Sequence, residues 1–272
     1  MINLKLIFKG MLIGLAKIIP GISGSLLAVS LGIYTVAIEA ISHPFKKIKE
    51  NIIFLGNVGL GVIVAISLFS GIISFFLERY FFLTVLLFIG FIVGTFPALF
   101  KEANICGKRD LIFIISVSFL IVFLSSFKST NQFIYKNTLL NNFLVYIFGF
   151  IDASAMVIPG ISGTAIFLLI GCYPFILHLF ASFPFFMSNS NFVCYILFGL
   201  GLFSGIIIIS KLMNYAFKNY KRKTYLCIVA FAISSILLLL VDIFSISFLW
   251  SDLLFGIFLF FIGYKVSSFL NI

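Results

Sequence analysis

The sequence predicts an all-α, polytopic integral membrane protein, and three observations support this prediction. Hydrophobic residues make up 62% of the 272 positions and charged residues only 10%, whereas soluble domains have roughly 45–50% apolar and about 25% charged residues. Several stretches reach the ~20 apolar residues that cross a bilayer as a helix. A Pro/Gly/Ser sequence that would break a helix also occurs twice inside apolar segments, as in many transporters.

The repeated sequence divides the chain into two similar halves. Ile-Pro-Gly-Ile-Ser-Gly at residues 19–24 returns unchanged at residues 158–163. We therefore expect one transmembrane domain made of two repeats, residues 1–138 and 139–272. The same offset, with one residue inserted later on, pairs further positions: Gly10 with Gly149, Gly32 with Gly171, Tyr34 with Tyr173, Tyr80 with Tyr220 and Thr84 with Thr224.

Each half is predicted to contain a helical hairpin followed by three transmembrane helices. In the first half, the two hairpin legs and the three spans cover residues 6–19, 25–41, 51–77, 81–100 and 111–127. In the second half they cover residues 143–158, 164–182, 192–217, 224–241 and 251–270. Because the first leg is short for a full crossing, we expect re-entrant hairpins, with the irregular backbone of each break surrounded by protein or by a water-filled cavity.

The number of spans and the distribution of charge predict the topology. Three spans per half is an odd number, so the halves would be inserted upside down relative to each other, as an inverted repeat. With the N-terminus inside, basic residues concentrate in the cytoplasmic loops 42–50, 101–110 and 218–223, which obeys the positive-inside rule and predicts two cytoplasmic termini. The net charge of +10 then reflects loops and lipid headgroups, and we expect no nucleic-acid partner.

The repeated motif contains the residue types that end one helix and begin another. Pro20 and Pro159 remove a backbone donor and stop the incoming helix, while Ser23 and Ser162 are candidate N-caps for the helix that follows. The N–H groups and the positive dipole at such a helix start favour an anion, commonly phosphate. The predicted phosphate-binding residues, apart from a lysine discussed next, are Gly21, Ser23, Gly24, Ser25, Gly160, Ser162, Gly163 and Thr164. The alternative is that both motifs are only kinks with small residues for helix packing; their repetition favours a binding site.

Two charged residues lie shortly before the breaks. Lys17 precedes the first and Asp152 the second, and they are not repeat equivalents, because Lys17 aligns with Met156 and Asp152 with Ile13. Ionisable groups within a membrane are costly and usually functional or paired, although long side chains also extend to the interface. We expect Lys17 to be a phosphate counter-ion, and Asp152 to pair with it or to carry a coupling proton.

Tyr34 and Tyr173 are matched between the repeats and are candidates for headgroup contact. Interfacial aromatic anchors are an equally common use of such tyrosines. The four cysteines have no metal-ligand or disulfide spacing, so we expect no metal and no cofactor. The sequence also lacks a nucleotide-binding loop and a catalytic constellation, which argues against a pump driven by ATP and against an enzyme.

Four segments together resemble a known family, the bacterial undecaprenyl-phosphate translocases of the PopT type. They are Lys9-Gly10, Ile-Pro-Gly-Ile-Ser-Gly-Ser at 19–25, Leu-Gly-Ile-Tyr at 31–34 and Ala-Met-Val-Ile-Pro-Gly-Ile-Ser-Gly-Thr at 155–164. The resemblance implies return of undecaprenyl phosphate from the outer to the cytoplasmic leaflet for reuse in cell-wall synthesis, and hence a location in the bacterial cytoplasmic membrane. Many members have an acidic residue, in Ala-Asp-x-x-Pro-Gly, where this chain has Lys17, so coupling here is expected to differ.

Other readings of the sequence stay open at this point. The first alternative is a secondary transporter of a small soluble anion or another solute, and the second is a membrane enzyme that acts on lipid phosphates. The partners expected for the main prediction are a polyprenyl-phosphate lipid, membrane lipids and, as a candidate driving force, a proton or sodium ion. The sequence leaves the oligomeric state undetermined.

Overall fold

The protein is all-helical throughout the part described here. The computed structural model describes residues 2–18, 23–127, 133–181, 192–246 and 250–270, and these contain eleven helices and no strand. The helices of the first half are α1 (Leu4–Ile18), α2 (Gly24–Ser30), α3 (Tyr34–Ser42), α4 (Ile48–Arg79), α5 (Phe81–Ala103) and α6 (Lys108–Ser126). Those of the second are α7 (Leu139–Val157), α8 (Gly163–Leu169), α9 (Tyr173–Ala181), α10 (Phe192–Phe244) and α11 (Trp250–Leu270).

Length and hydropathy confirm a multi-pass membrane protein. Within the described ranges, six helices are long and apolar enough to cross a bilayer: α4, α5, α6, α7, α10 and residues Asp252–Phe269 of α11. Many large apolar side chains on their surfaces are exposed, as expected for residues that contact lipid. The all-α, polytopic fold class predicted from the sequence is therefore confirmed.

The first legs of the two hairpins differ in length. Helix α1 has 15 residues, whereas α7 has 19 residues and passes the length and hydropathy test for a full crossing. Helix α7 begins at Leu139, four residues before the predicted leg, because the Thr138 hydroxyl accepts a hydrogen bond from the Asn141 N–H (3.3 Å) and caps the helix there.

The second leg of each hairpin is not one continuous helix, and the expectation of single helices over 25–41 and 164–182 was wrong. Helices α2 and α3 are separated by a short turn and their axes differ by 115°. Gly32 in this turn has a φ of +67°, and its equivalent Gly171, between α8 and α9, has a φ of +74°. Glycine adopts this left-handed conformation without a steric penalty, and it is the usual residue at a helix C-terminus.

The junction between the first and second spans has the same geometry in both halves. Tyr80, between α4 and α5, has φ −134° and ψ 45°, and Tyr220, within α10, has φ −135° and ψ 38°. The hydroxyls of Thr84 and Thr224 donate to the carbonyls of Tyr80 (2.8 Å) and Tyr220 (3.0 Å) respectively. Tyr220 therefore divides α10 into two helices, which we call α10a (residues 192–219) and α10b (residues 221–244).

Close packing between helices relies on glycines at matching positions. A methyl group at Gly10 of α1 would overlap the carbonyl oxygen of Val58 in α4, and one at Gly149 of α7 would overlap that of Phe198 in α10a. The absence of a side chain thus lets the first leg of each hairpin contact the first span of its own half.

The third span of each half packs on the second span of the other half. A methyl group at Gly90 of α5 would overlap the Phe260 carbonyl oxygen of α11. On the other side, the Ser118 hydroxyl of α6 donates to the Ala230 carbonyl of α10b (2.9 Å). These exchanged contacts pack helices of the two halves against each other.

Candidate functional site

The two hairpins contact each other at the repeated motif. The Ser25 hydroxyl, in the first turn of α2, donates to the Ile158 carbonyl at the end of α7 (3.3 Å), and the Tyr34 hydroxyl donates to the Val157 carbonyl (2.8 Å). Ser25 also shares a hydrogen bond with Ser23 (2.7 Å). Ser23, Ser25 and Tyr34 are all buried. Residues from the two halves of the sequence therefore form one polar cluster at the end of α7, within a largely apolar bundle.

The break in the second half is anchored to α10b. Gly160 has a φ of +84°, and its carbonyl accepts a hydrogen bond from the Ser235 hydroxyl (3.0 Å). A side chain at Gly160 would collide with Phe231. Gly160 therefore lies against protein on this side, and its carbonyl already has a partner.

Some predicted site residues lie outside the described part of the chain. These are Gly21, predicted to bind phosphate, and Pro20, predicted to break the helix, and the side chain of Thr164 is likewise not described. The assignment of Gly21 and Thr164 to a phosphate site stays a prediction. Pro159, by contrast, is fully buried directly after the end of α7.

The two predicted N-cap serines occupy cap positions, but Ser23 does not cap with its side chain. Ser23 has the extended backbone of an N-cap, while its hydroxyl is bonded to Ser25 instead of a helix N–H. The helices that follow, α2 and α8, have seven residues each. Because a macrodipole sums over aligned peptide units, helices this short contribute less positive potential than the sequence argument assumed, and side-chain charge becomes correspondingly more important.

Lys17 and Asp152 lie against equivalent glycines of the two hairpins. A methyl group built on Gly24 of α2 would lie 3.3 Å from Lys17 Cγ, and one built on Gly163 of α8 would lie 3.3 Å from Asp152 Oδ1. Glycine is thus the residue that lets each charged side chain lie against the second helix of its hairpin. Sequence alignment does not pair the two charges, yet the structure brings them to corresponding faces.

The two charges interact across the hairpins without direct contact. Lys17 and Asp152 are close enough to interact electrostatically. Within the described residues, however, their charged atoms form no ion pair of 4.0 Å or less. The Lys17 side chain is exposed and that of Asp152 is half-buried. Lys17 and Asp152 therefore influence each other through space and not through a salt bridge, and the role of Lys17 as a phosphate counter-ion stays a prediction.

The matched tyrosines have different surroundings. Tyr34 is 4% exposed, bonds to Val157 and packs its ring 5.5 Å from that of Phe217. Tyr173 is half-buried and packs against the separate apolar cluster around Phe148. Tyr34 therefore joins the two halves, a role that neither the headgroup nor the interfacial interpretation anticipated.

The sequence reasoning also missed two residues that fix the hairpins. Lys9 donates from Nζ to the Leu31 carbonyl at the end of α2 (2.6 Å), which suits a cation at a helix C-terminus. Ser235 holds the Gly160 carbonyl, as described above. Its repeat equivalent, Thr95, is also a hydroxyl residue, and that pairing was the available sequence signal.

Charged residues gather at one end of the bundle. Arg222 pairs with Asp110 and donates from Nε to the Asn104 carbonyl (3.2 Å), and two further ion pairs join Lys221 to Glu102 (2.6 Å) and Lys218 to Glu39 (3.9 Å). Exposed pairs of this kind contribute little to stability. They do bring together the loops that the charge analysis assigned to the cytoplasm.

A family model described as undecaprenyl phosphate translocase-like matches residues 13–243. The chain belongs to this family. It is 27% identical over 238 residues to a polyprenyl-phosphate transporter of Staphylococcus aureus (strain NCTC 8325 / PS 47), a match that covers 85% of this chain and 83% of that protein. It is 24% identical over 230 residues to a polyprenyl-phosphate transporter of Vibrio cholerae serotype O1 (strain ATCC 39315 / El Tor Inaba N16961), covering 79% and 70%. No solved structure gives a significant match. The family resemblance is thus confirmed, and both relatives are named as transporters, in agreement with the prediction that this protein is not an enzyme.

Proposed function

We propose that this protein is a translocase that returns undecaprenyl phosphate from the outer to the cytoplasmic leaflet of the bacterial cytoplasmic membrane, for reuse in envelope synthesis. The observation that carries the proposal is the family match over residues 13–243, joined to a polar cluster between two hairpins within an apolar bundle. Both curated relatives bear the name polyprenyl-phosphate transporter, which supports the class of lipid.

The phosphate of the carrier binds next to Lys17 in this proposal. A cation attracts an anion far more strongly in a low-dielectric site than in water, and the exposed Lys17 side chain lies directly beside Gly24. Backbone N–H groups around residues 21–25 and 160–164 complete the site. Ser25 and Tyr34 hold the end of α7 against α2 and α3.

The two halves form an inverted repeat in this proposal, with both termini in the cytoplasm. Tyr80 directly precedes α5, whereas Arg222, two residues after its equivalent Tyr220, contacts Asn104 and Asp110 beyond the other end of α5. The 23 residues of α5 correspond to a length of about 34 Å. Equivalent junctions at opposite ends of one membrane-length helix are what an inverted repeat requires.

Labelling of introduced cysteines tests this topology. Cysteines at Asn104 and Lys221 are expected to resist an impermeant thiol reagent added outside intact cells, whereas cysteines at Thr130 and Ser188 are expected to react. Permeabilised cells provide the control that each cysteine is reactive. Labelling of Asn104→Cys from outside, with Thr130→Cys protected, would reverse the orientation and contradict the proposal.

Asp152 is the proposed coupling residue. Its carboxylate is half-buried beside Gly163 and interacts with Lys17, so protonation there would change the field at the phosphate. Net direction then comes from a proton or sodium gradient, or from consumption of the carrier inside. Transport measured with pH and Na⁺ gradients applied separately distinguishes these sources.

Reconstitution in liposomes tests the function itself. We expect purified protein to move labelled undecaprenyl phosphate between leaflets, and Lys17→Met at the same protein density to move it much more slowly. Absence of protein-dependent transfer under every gradient would reject the proposal. Uptake of soluble phosphate without lipid transfer would instead favour the transporter of a small anion.

A further inference from the structure

An apolar cavity lies beside Ser23 and the start of α2. It has a volume of about 250 Å³ and lies between α1, α2, α4 and α5. Its lining includes Leu15, Ala16, Ser23, Leu27 and Phe91. An engineered apolar cavity of about 150 Å³ stays dry and binds small hydrocarbons. A cavity of this size and character therefore suits a hydrocarbon chain and not water.

The two hydroxyl groups in the cavity wall are already satisfied. Ser23 is bonded to Ser25, and the Thr95 hydroxyl donates to the Ile92 carbonyl of its own helix (2.7 Å). Among the described lining residues, the cavity thus offers no unpaired side-chain hydroxyl to a polar ligand. Burial of apolar surface is the interaction it provides.

The cavity borders the proposed phosphate site at Ser23. Ala16 and Ser23 line it, and each directly adjoins in sequence a residue of that site, Lys17 and Gly24 respectively. A lipid whose phosphate contacts Lys17 therefore has the beginning of its chain next to this cavity.

A second cavity beside the other break provides a comparison. It has a volume of about 220 Å³, and four of its lining residues are repeat equivalents of residues in the first: Ser162 of Ser23, Ile166 of Leu27, Phe231 of Phe91 and Ser235 of Thr95. Its lining also contains Ser125 and Ser234, so it is more polar than the first. The first cavity is accordingly the better match for a hydrocarbon chain.

We propose that the first cavity binds the isoprene units nearest the phosphate of the transported lipid, so that the tail is partly held by protein and not only by the bilayer. This inference rests on the proposed function, because it places the phosphate at Lys17. It makes this cavity a site of selection for the prenyl chain, separate from the charged site that selects the phosphate.

Filling the cavity separates tail binding from phosphate binding. The full-length protein in nanodiscs is titrated with farnesyl phosphate and with methyl phosphate, which share a phosphate monoester but differ in the prenyl chain. Leu27→Trp is expected to weaken farnesyl phosphate binding about tenfold, a common factor for a changed apolar pocket, and to leave methyl phosphate binding unchanged. The matched control Ile166→Trp fills the equivalent position of the second cavity and is expected to affect neither ligand.

The remaining outcomes each decide the proposal. The proposal would be overturned if Leu27→Trp weakened the binding of farnesyl phosphate and methyl phosphate equally. It would also be overturned if Ile166→Trp weakened farnesyl phosphate binding as much as Leu27→Trp does. If Leu27→Trp does not fold, Leu87→Trp fills the same cavity from α5 and is judged by the same criterion. Palmitoyl lysophosphatidate tests the choice of chain. If it binds the wild-type protein as tightly as farnesyl phosphate does, and loses as much affinity in Leu27→Trp, the prenyl assignment is overturned in favour of an acyl chain.

Failure of the inference is distinguishable from failure of the proposed function. If the wild-type protein binds methyl phosphate and Lys17→Met does not, the phosphate site stands whatever the tail experiment gives. If methyl phosphate is bound but farnesyl phosphate binds no more tightly, only the cavity inference falls. If neither phosphate binds at the site, both fall.

Discussion

The two halves of this protein share a backbone plan but differ in the side chains that surround their breaks. Tyr34 of the first half bonds to α7 of the second half (2.8 Å), whereas within the described residues Tyr173 makes no corresponding bond to α1. Lys17 lies against Gly24, but the acid Asp152 lies against the equivalent Gly163. A duplicated scaffold can therefore present a cation on one hairpin and an acid on the other.

This difference shows that the residues shared by the two repeats specify the backbone geometry, while the positions that differ between them specify which charged groups lie beside the breaks. Positions 13 and 17 of α1 correspond to positions 152 and 156 of α7, one helical turn apart in each case. The first half has Ile and Lys at these positions, and the second half has Asp and Met. Substitutions that equalise or exchange them are the sharpest tests of the comparison.

The largest effect is expected at Gly160, where the second break is anchored. In Gly160→Leu the new side chain collides with Phe231, and the leucine must adopt the left-handed backbone conformation of the glycine. Together these two effects cost roughly 2–5 kcal/mol of folding free energy. We expect a strong loss of stability, measured by thermal unfolding of the purified protein. Gly199→Leu is the control, because a side chain there meets open space. Unchanged stability of Gly160→Leu would contradict the packing described here.

The next largest effect is expected at Lys17. Lys17→Met is expected to reduce undecaprenyl phosphate transport at least about tenfold at matched membrane levels, because a charge-assisted contact of this kind contributes about 1.5–3 kcal/mol, and Lys17→Arg should retain part of the activity. The exchange variant Lys17→Met/Met156→Lys moves the cation to the other hairpin and should not restore transport. Full restoration would mean that the two hairpins are interchangeable.

A smaller effect of opposite sign is expected at Asp152 in binding experiments. Asp152→Asn removes a negative charge that interacts with Lys17, where the proposal places the phosphate. Methyl phosphate should therefore bind a few-fold more tightly, by roughly 1 kcal/mol at an effective dielectric of about 20. Ile13→Asn, at the equivalent position, is the control, and weaker binding by Asp152→Asn would contradict this electrostatic picture.

The smallest effect is expected for the matched tyrosines. Tyr34→Phe removes a buried hydrogen bond to the Val157 carbonyl and should lower the free energy of unfolding by about 1 kcal/mol. Tyr173→Phe should leave it unchanged, and this pair is compared by thermal unfolding in detergent. Equal loss in both variants would mean that the two hairpins are held together symmetrically.

Composition and periodicity alone determined the fold class and most helices, because the bilayer leaves little choice of backbone structure. Lipid requires internal hydrogen bonding, so long apolar runs such as residues 51–77 and 81–100 become α4 and α5 with ends shifted by a few residues. The repeated Ile-Pro-Gly-Ile-Ser-Gly likewise indicated where the first legs end. The left-handed turns at Gly32 and Gly171 were missed because a single glycine within an apolar run is also compatible with a continuous helix.

Only the tertiary structure decided how the two halves combine into one site. That Ser25 and Tyr34 reach α7 and that Ser235 holds the second break depend on contacts between residues far apart in sequence, and that Lys17 and Asp152 lie against equivalent glycines depends on how each hairpin folds back on itself. No local sequence pattern encodes such contacts, because they arise only when the helices pack together. The sequence by itself therefore determined the membrane helices, the family and the candidate residues, and packing determined which of them meet.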